Sequence, residues 1–99
     1  MAWKDVTSSE AVLSAIRECD RLGRGPFLKK YGFGPAKEYY IEHKGRFYDS
    51  KAIWGVAHGY QFPKKGALRW RDLNGGKRTV APLLEAIGFK IVRRQLIPV

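Results

Sequence analysis

Residues 64–78 read Lys-Lys-Gly-Ala-Leu-Arg-Trp-Arg-Asp-Leu-Asn-Gly-Gly-Lys-Arg. Six cations, Lys64, Lys65, Arg69, Arg71, Lys77 and Arg78, stand against one acid, Asp72. Arginine pairs bidentately with phosphate or with guanine edges, lysine adds a point charge, and glycine lets a backbone approach a phosphate at a helix start. The run Asn74-Gly75-Gly76-Lys77-Arg78 fits a phosphate in that sense, and fits equally well a plain loop before a helix. Trp70, between Arg69 and Arg71, reads first as a core anchor with its neighbours splayed outward. The second reading is a platform that stacks or wedges against a base. An isolated cationic run more often means solubility than binding, so the rest of the chain has to decide.

It does so through its charge. Nineteen Lys and Arg against nine Asp and Glu leave a formal +10, which makes an anionic partner the default expectation. Residues 1–23 hold four acids and three bases, so nearly all the excess lies from Arg24 onward, as a basic face would require. Lys44 and Arg46, near a glycine turn, and Lys51, at a helix start, extend the candidate surface.

Other chemistries find little support. The chain has two histidines, His43 and His58, and no metal-ligand spacing. Surface or capping duty is the favoured reading for both. Nucleophilic catalysis lacks a Gly-x-Ser-x-Gly elbow. Gly32-Phe33-Gly34 lacks the third glycine and preceding strand of a dinucleotide fingerprint, and Gly75-Gly76-Lys77 lacks the upstream glycine of a P-loop. No enzyme activity and no cofactor are expected of this chain. The lone Cys19 excludes an internal disulfide and falls at an apolar position of a helical pattern. Neither a membrane span nor a signal-peptide core is present in the sequence, which points to a cytoplasmic location.

Ninety-nine residues with 44% hydrophobic content make one domain with a core of its own. Thr7-Ser8-Ser9-Glu10 has capping-box spacing, and Val12, Leu13, Ile16 and Cys19 recur at helical intervals up to Gly23, while Arg17 and Glu18 face away. A short second helix follows Gly25-Pro26 and closes at Gly32. Aromatic-rich alternation around Lys44-Gly45 predicts a β-hairpin. Asp49 reads as the N-cap of a third helix that buries Trp54 and ends at Gly59. Residues 60–76 form a long connection, of the kind that is often functional in small domains. A fourth helix opens at Lys77 or Thr79 and runs to Gly88, and Phe89-Lys90-Ile91-Val92 is a final strand that must join the hairpin. The fold class is therefore α+β, a small three-stranded antiparallel sheet with about four helices packed against it.

The stretch 39–92 also resembles a known family. A hairpin of the form aromatic-x-x-x-x-Gly-x-x-Tyr runs into Asp49-Ser50-Lys51-Ala52-Ile53; Leu73-Asn74-Gly75-Gly76 follows; and the chain closes on Leu83-Leu84-Glu85-Ala86-Ile87-Gly88-Phe89-Lys90-Ile91-Val92. These pieces resemble the N-terminal module of McrA-like, HNH-type restriction endonucleases of Type IV, which attack modified DNA in bacterial defence. The resemblance implies a DNA-binding head, excised from a longer multidomain protein whose other domains read the modification and cut. The HNH signature itself is absent. No matched residue is diagnostic of a pocket for 5-methylcytosine, another base modification or a phosphorothioate.

The sequence thus leads to a double-stranded DNA-binding module. Its candidate contacts are Lys44, Arg46, Lys51, Lys64, Lys65, Arg69, Trp70, Arg71, Asn74, Gly75, Gly76, Lys77 and Arg78. An RNA or single-strand binder, and a protein-interaction domain with a basic face, are the alternatives.

Overall fold

The computed structural model describes residues 5–73 and 80–93. Helix α1 spans Ser9–Leu22 and α2 Arg24–Tyr31. Strands β1 (Tyr39–His43) and β2 (Arg46–Asp49) run directly into α3 (Ser50–Gln61). A 3-10 helix at Trp70–Asp72, α4 (Ala81–Ala86) and β3 (Lys90–Arg93) follow. The sheet is antiparallel in the order β2-β1-β3, so the final strand does join the hairpin, and the fold is α+β.

Strand register explains which side of the sheet is buried. Ile41 lies opposite Tyr48 on one neighbour and Ile91 on the other, and this row faces the helices. The next row, Glu42 with Phe47 and Lys90, points the other way; Glu42 pairs with Lys90 at 3.4 Å and Phe47 is exposed. The hairpin turns through Lys44 (φ 52°) and Gly45 (φ 79°), the double positive φ that suits a right-twisted two-residue loop. At the helix-helix corner Gly23 (φ 91°) alone carries the change of direction, ending α1 with an N–H donated to the Cys19 carbonyl.

Helix α1 packs most extensively on α3, joining Val12, Ala15 and Ile16 to Ile53, Trp54, Val56 and Ala57 in one core. Cys19 is buried in that core, and burial, assisted by the charges of Asp20 and Asp49, pushes its thiol up to about 11. It stays protonated and packs as an apolar side chain.

Several local expectations change. The N-cap of α1 is Ser8, which accepts the Ala11 N–H at 3.1 Å, because Thr7 is held by Gln61 at the far end of α3. Glu18 does not face solvent. Its side chain is 3% exposed and accepts hydrogen bonds from Lys30 (2.7 Å), Tyr31 (2.6 Å) and Tyr60 (2.6 Å). His58 is buried rather than superficial, donating from Nδ1 to the Gly66 carbonyl at 2.7 Å and packing on Phe62. The fourth helix is described from Ala81, with Pro82 in its first turn; Lys77 and Thr79, where it was expected to open, lie outside the described residues.

Glu18 gives a pH prediction. Burial works to raise its pKa, but the three donors outweigh it and hold the carboxyl below its ordinary value. The folded state therefore binds this proton less tightly than the unfolded chain does. Its stabilisation is complete above about pH 4.3, the usual value for an unfolded glutamate, and is lost as pH falls through the folded value. Glu18→Gln should lower stability near neutral pH by about 1.5–3 kcal/mol, the range for hydrogen bonds to a charged group. The difference in urea midpoint between the two proteins should shrink below about pH 4. A constant difference across pH would show that the charge of Glu18 contributes nothing.

Candidate nucleic-acid interface

The position of Trp70 is set by two glycines on α3. After Gln61 the chain turns at residues 63–65 and runs back along the helix, where Leu68 N–H bonds the Gly55 carbonyl at 2.9 Å. A Cβ on Gly59 would lie 2.7 Å from the Ala67 nitrogen, and one on Gly55 would lie 2.9 Å from the Leu68 carbonyl oxygen and 2.7 Å from Phe33 Cζ. Gly59 therefore permits close backbone approach and does not end the helix, which continues to Gln61. Replacing Gly55 with alanine should lower stability by about 1–3 kcal/mol through overpacking. The roughly 1 kcal/mol of helix propensity that alanine adds offsets part of this, leaving a net loss of up to about 2 kcal/mol. A thermal melt above the wild-type midpoint would refute the close packing of this return segment.

The returning chain ends in the Trp70–Asp72 3-10 helix, pinned by Arg69 N–H to Asp72 Oδ2 (3.0 Å) and Asp72 N–H to the Arg69 carbonyl (2.9 Å). Trp70 is 58% exposed, contrary to its first reading as a core anchor, whereas Trp54 is fully buried as expected. The Arg71 guanidinium lies over the Trp70 ring at 5.9 Å from its centroid, a cation–π distance. Core volume beside α3 is already occupied by Leu68 and Leu73, which bracket the turn and leave Trp70 outside.

Across from Trp70 stands a loop that the sequence reading did not single out. Residues 33–39 lead from the end of α2 into the first residue of β1, and Asp49 holds them in place at Ala36. Its carboxylate accepts both Nε and a terminal nitrogen of Arg24, each at 2.8 Å, and the Ala36 N–H at 2.7 Å. Asp49 sits at the N-cap position of α3 but makes no side-chain cap there, because these partners occupy it. Tyr40 donates its hydroxyl to the Ala36 carbonyl from the neighbouring strand. Between this loop, the first turn of α3 and Trp70 lies a cleft of about 490 Å³, within the usual size range of ligand sites. Phe33, Pro35, Tyr39 and Ala52 provide apolar wall, and Lys37 and Lys51 provide cations. The signals for it in the sequence were Gly34-Pro35 beside Lys37, and the Gly55-x-x-x-Gly59 spacing.

The candidate contacts divide by location. Lys51 and Trp70 line the cleft together, Arg71 is joined to them through the Trp70 ring, and Arg69 adjoins in sequence. Lys44 and Arg46 sit at the opposite end of the hairpin from Asp49, on the order of 10 Å away at the rise of a strand, and Arg46 lies 3.5 Å from Asp20. Lys64 and Lys65 are exposed in the turn beyond the other end of α3, about 18 Å from its start at the helical rise per residue, with Lys65 over the Phe62 ring. Asn74, Gly75, Gly76, Lys77 and Arg78 lie outside the described residues. No described helix is long and apolar enough to cross a membrane.

Comparison with known proteins agrees with this architecture. No curated protein matches the chain. Among solved structures the chain is similar to the Type IV phosphorothioation-dependent restriction endonuclease ScoMcrA, with 36% identity and a TM-score of 0.63. The match covers 95% of this chain and 13% of that one, so this chain corresponds to a small part of the larger protein. A family model described as the ScoMcrA-like N-terminal head domain matches residues 4–93, nearly the whole sequence, and the chain belongs to that family.

Proposed function

We propose that this chain is a double-stranded DNA-binding head of a modification-dependent restriction endonuclease, and that cleavage is carried by other domains of its parent protein. The observation that carries the proposal is the exposed Arg69-Trp70-Arg71 segment beside Lys51, in a family-assigned head with a formal charge of +10. Arginines and lysines on such a surface neutralise phosphates whatever the sequence, and the released counterions drive binding. His58 is buried against Gly66 and Phe62, and His43 packs against Phe89.

The solved relative is phosphorothioation-dependent, which makes the sulfur-substituted backbone the first modification to test here, with 5-methylcytosine second. Gel shifts with unmodified, cytosine-methylated and phosphorothioated versions of one duplex separate the readings. Equal, salt-sensitive binding to all three is the expected outcome for a head that grips the backbone. A preference for one would assign modification readout to this domain, and absence of binding to any of them at low salt would overturn the proposal in favour of a protein partner for the basic face.

The exposed tryptophan supports a second reading, an RNA or single-strand binder that stacks bases. Competition by single strands and duplex RNA distinguishes it.

A further inference from the structure

Resting on the DNA-binding reading, we propose that the cleft between the 33–39 loop and Trp70 receives one unstacked nucleobase of bound DNA, laid against the Trp70 ring. Four observations meet there. The first is the exposure of the tryptophan. A ring of this size left 58% exposed gains little for the fold, although Leu68 and Leu73 on either side of it are buried. The second is its partner. Arg71 already lies over the ring, so a base stacked on Trp70 would complete a base–aromatic–guanidinium arrangement of the kind that holds single-stranded bases.

The third is shape. The space beside Trp70 is concave and about 490 Å³, with largely apolar walls from Phe33, Pro35, Tyr39 and Ala52. A wedge inserted between base pairs needs a protruding apolar tip; a cleft suits a base turned out of the helix. The fourth is charge. Two acids line the cleft, and both are neutralised: Glu38 by Arg93, and Asp49 by Arg24. Lys37 and Lys51 form no ion pair with any described residue, so the uncompensated charge at the rim is positive and suits the phosphate attached to an extruded base. Stacking on an aromatic face does not discriminate strongly among bases, so the site should accept any of the four.

Turning a base out of a duplex requires breaking its pair and its stacking, and this is easiest at a mismatch. The test compares a perfectly paired duplex with the same duplex carrying one central T·T mismatch, and with a third in which both mismatched thymines are replaced by abasic sites. The mismatched duplex should bind about tenfold more tightly than the paired one. In Trp70→Ala that ratio should fall to about one, and Trp70→Phe should keep most of it. The abasic duplex should lose the advantage, since the pocket has no base to hold. Equal binding of paired and mismatched duplexes by the wild type, or a preference that survives in Trp70→Ala, would overturn the proposal while leaving DNA binding intact. No binding to any duplex at low salt would instead remove the DNA-binding reading itself, and this inference with it.

Discussion

Arg24→Ala is expected to destabilise the domain by about 2 kcal/mol, less than breaking a fully buried ion pair costs, because the Arg24 side chain is 46% exposed and solvent screens its half of the bridge. Asp49 is the reason. Its side chain is 5% exposed, and Arg24 approaches both oxygens at 2.8 Å, in the bidentate geometry that only a guanidinium provides. Without Arg24 a carboxylate remains buried with the Ala36 N–H as its one other donor among the described residues, and desolvated charge is expensive to leave unpaired. The loss is a large share of the stability expected for a small domain. Arg24→Lys should recover only part of it, because an ammonium cannot reach both oxygens in the same plane. The discriminating variant is Arg24→Ala combined with Asp49→Asn. A neutral amide can still accept from Ala36 and no longer carries an unpaired charge, so the double variant should be more stable than Arg24→Ala alone. Urea denaturation measures each step. A change below about 1 kcal/mol for Arg24→Ala, typical of a surface pair, would show that the bridge does not organise this corner. Because Asp49 fixes the loop at Ala36, loosening it should also disturb the cleft opposite Trp70.

The second large effect concerns binding. If Arg69 and Arg71 each neutralise a phosphate, changing both to alanine should flatten the slope of log affinity against log salt by about 1.8, at 0.9 per contact. The corresponding loss is about 60-fold near 0.1 M salt, and it should vanish as salt approaches 1 M. Both residues are exposed and are not part of the buried core, so the substitutions should leave stability nearly unchanged. The same measurement on Lys64→Ala with Lys65→Ala reports whether DNA extends along α3 to its other end, since a second loss of slope requires phosphates near both. An unchanged slope in the arginine variant would remove the 3-10 segment from the interface, and with it the observation on which the proposed function chiefly rests.

Much of this protein was legible because it depends on near neighbours. Helical periodicity in 12–19, alternation around Lys44-Gly45 and glycines at chain reversals act within a few residues, and α1, the hairpin and the closing strand follow from them. The charge balance needs no geometry at all, and the hairpin-to-helix pieces carried the family resemblance that the comparison bears out over 4–93. Errors fell where residues distant in sequence compete. Glu18 looked like a solvent-facing position on α1 until Tyr60, 42 residues away, and the side chains of α2 gave it donors inside the fold. Asp49 had the residue type and place of an N-cap, but Arg24, 25 residues earlier, claimed both oxygens. Gly59 looked like a stop signal and proved to be a contact surface for Ala67. The same holds for the candidate site. Sequence alone determined that the chain is basic, that it is a small α+β domain, and that Arg69-Trp70-Arg71 was worth attention. Only the tertiary structure decided that Trp70 stands in solvent beside a cleft, because exposure depends on which other side chains fill the core first, and Leu68 and Leu73 had filled it.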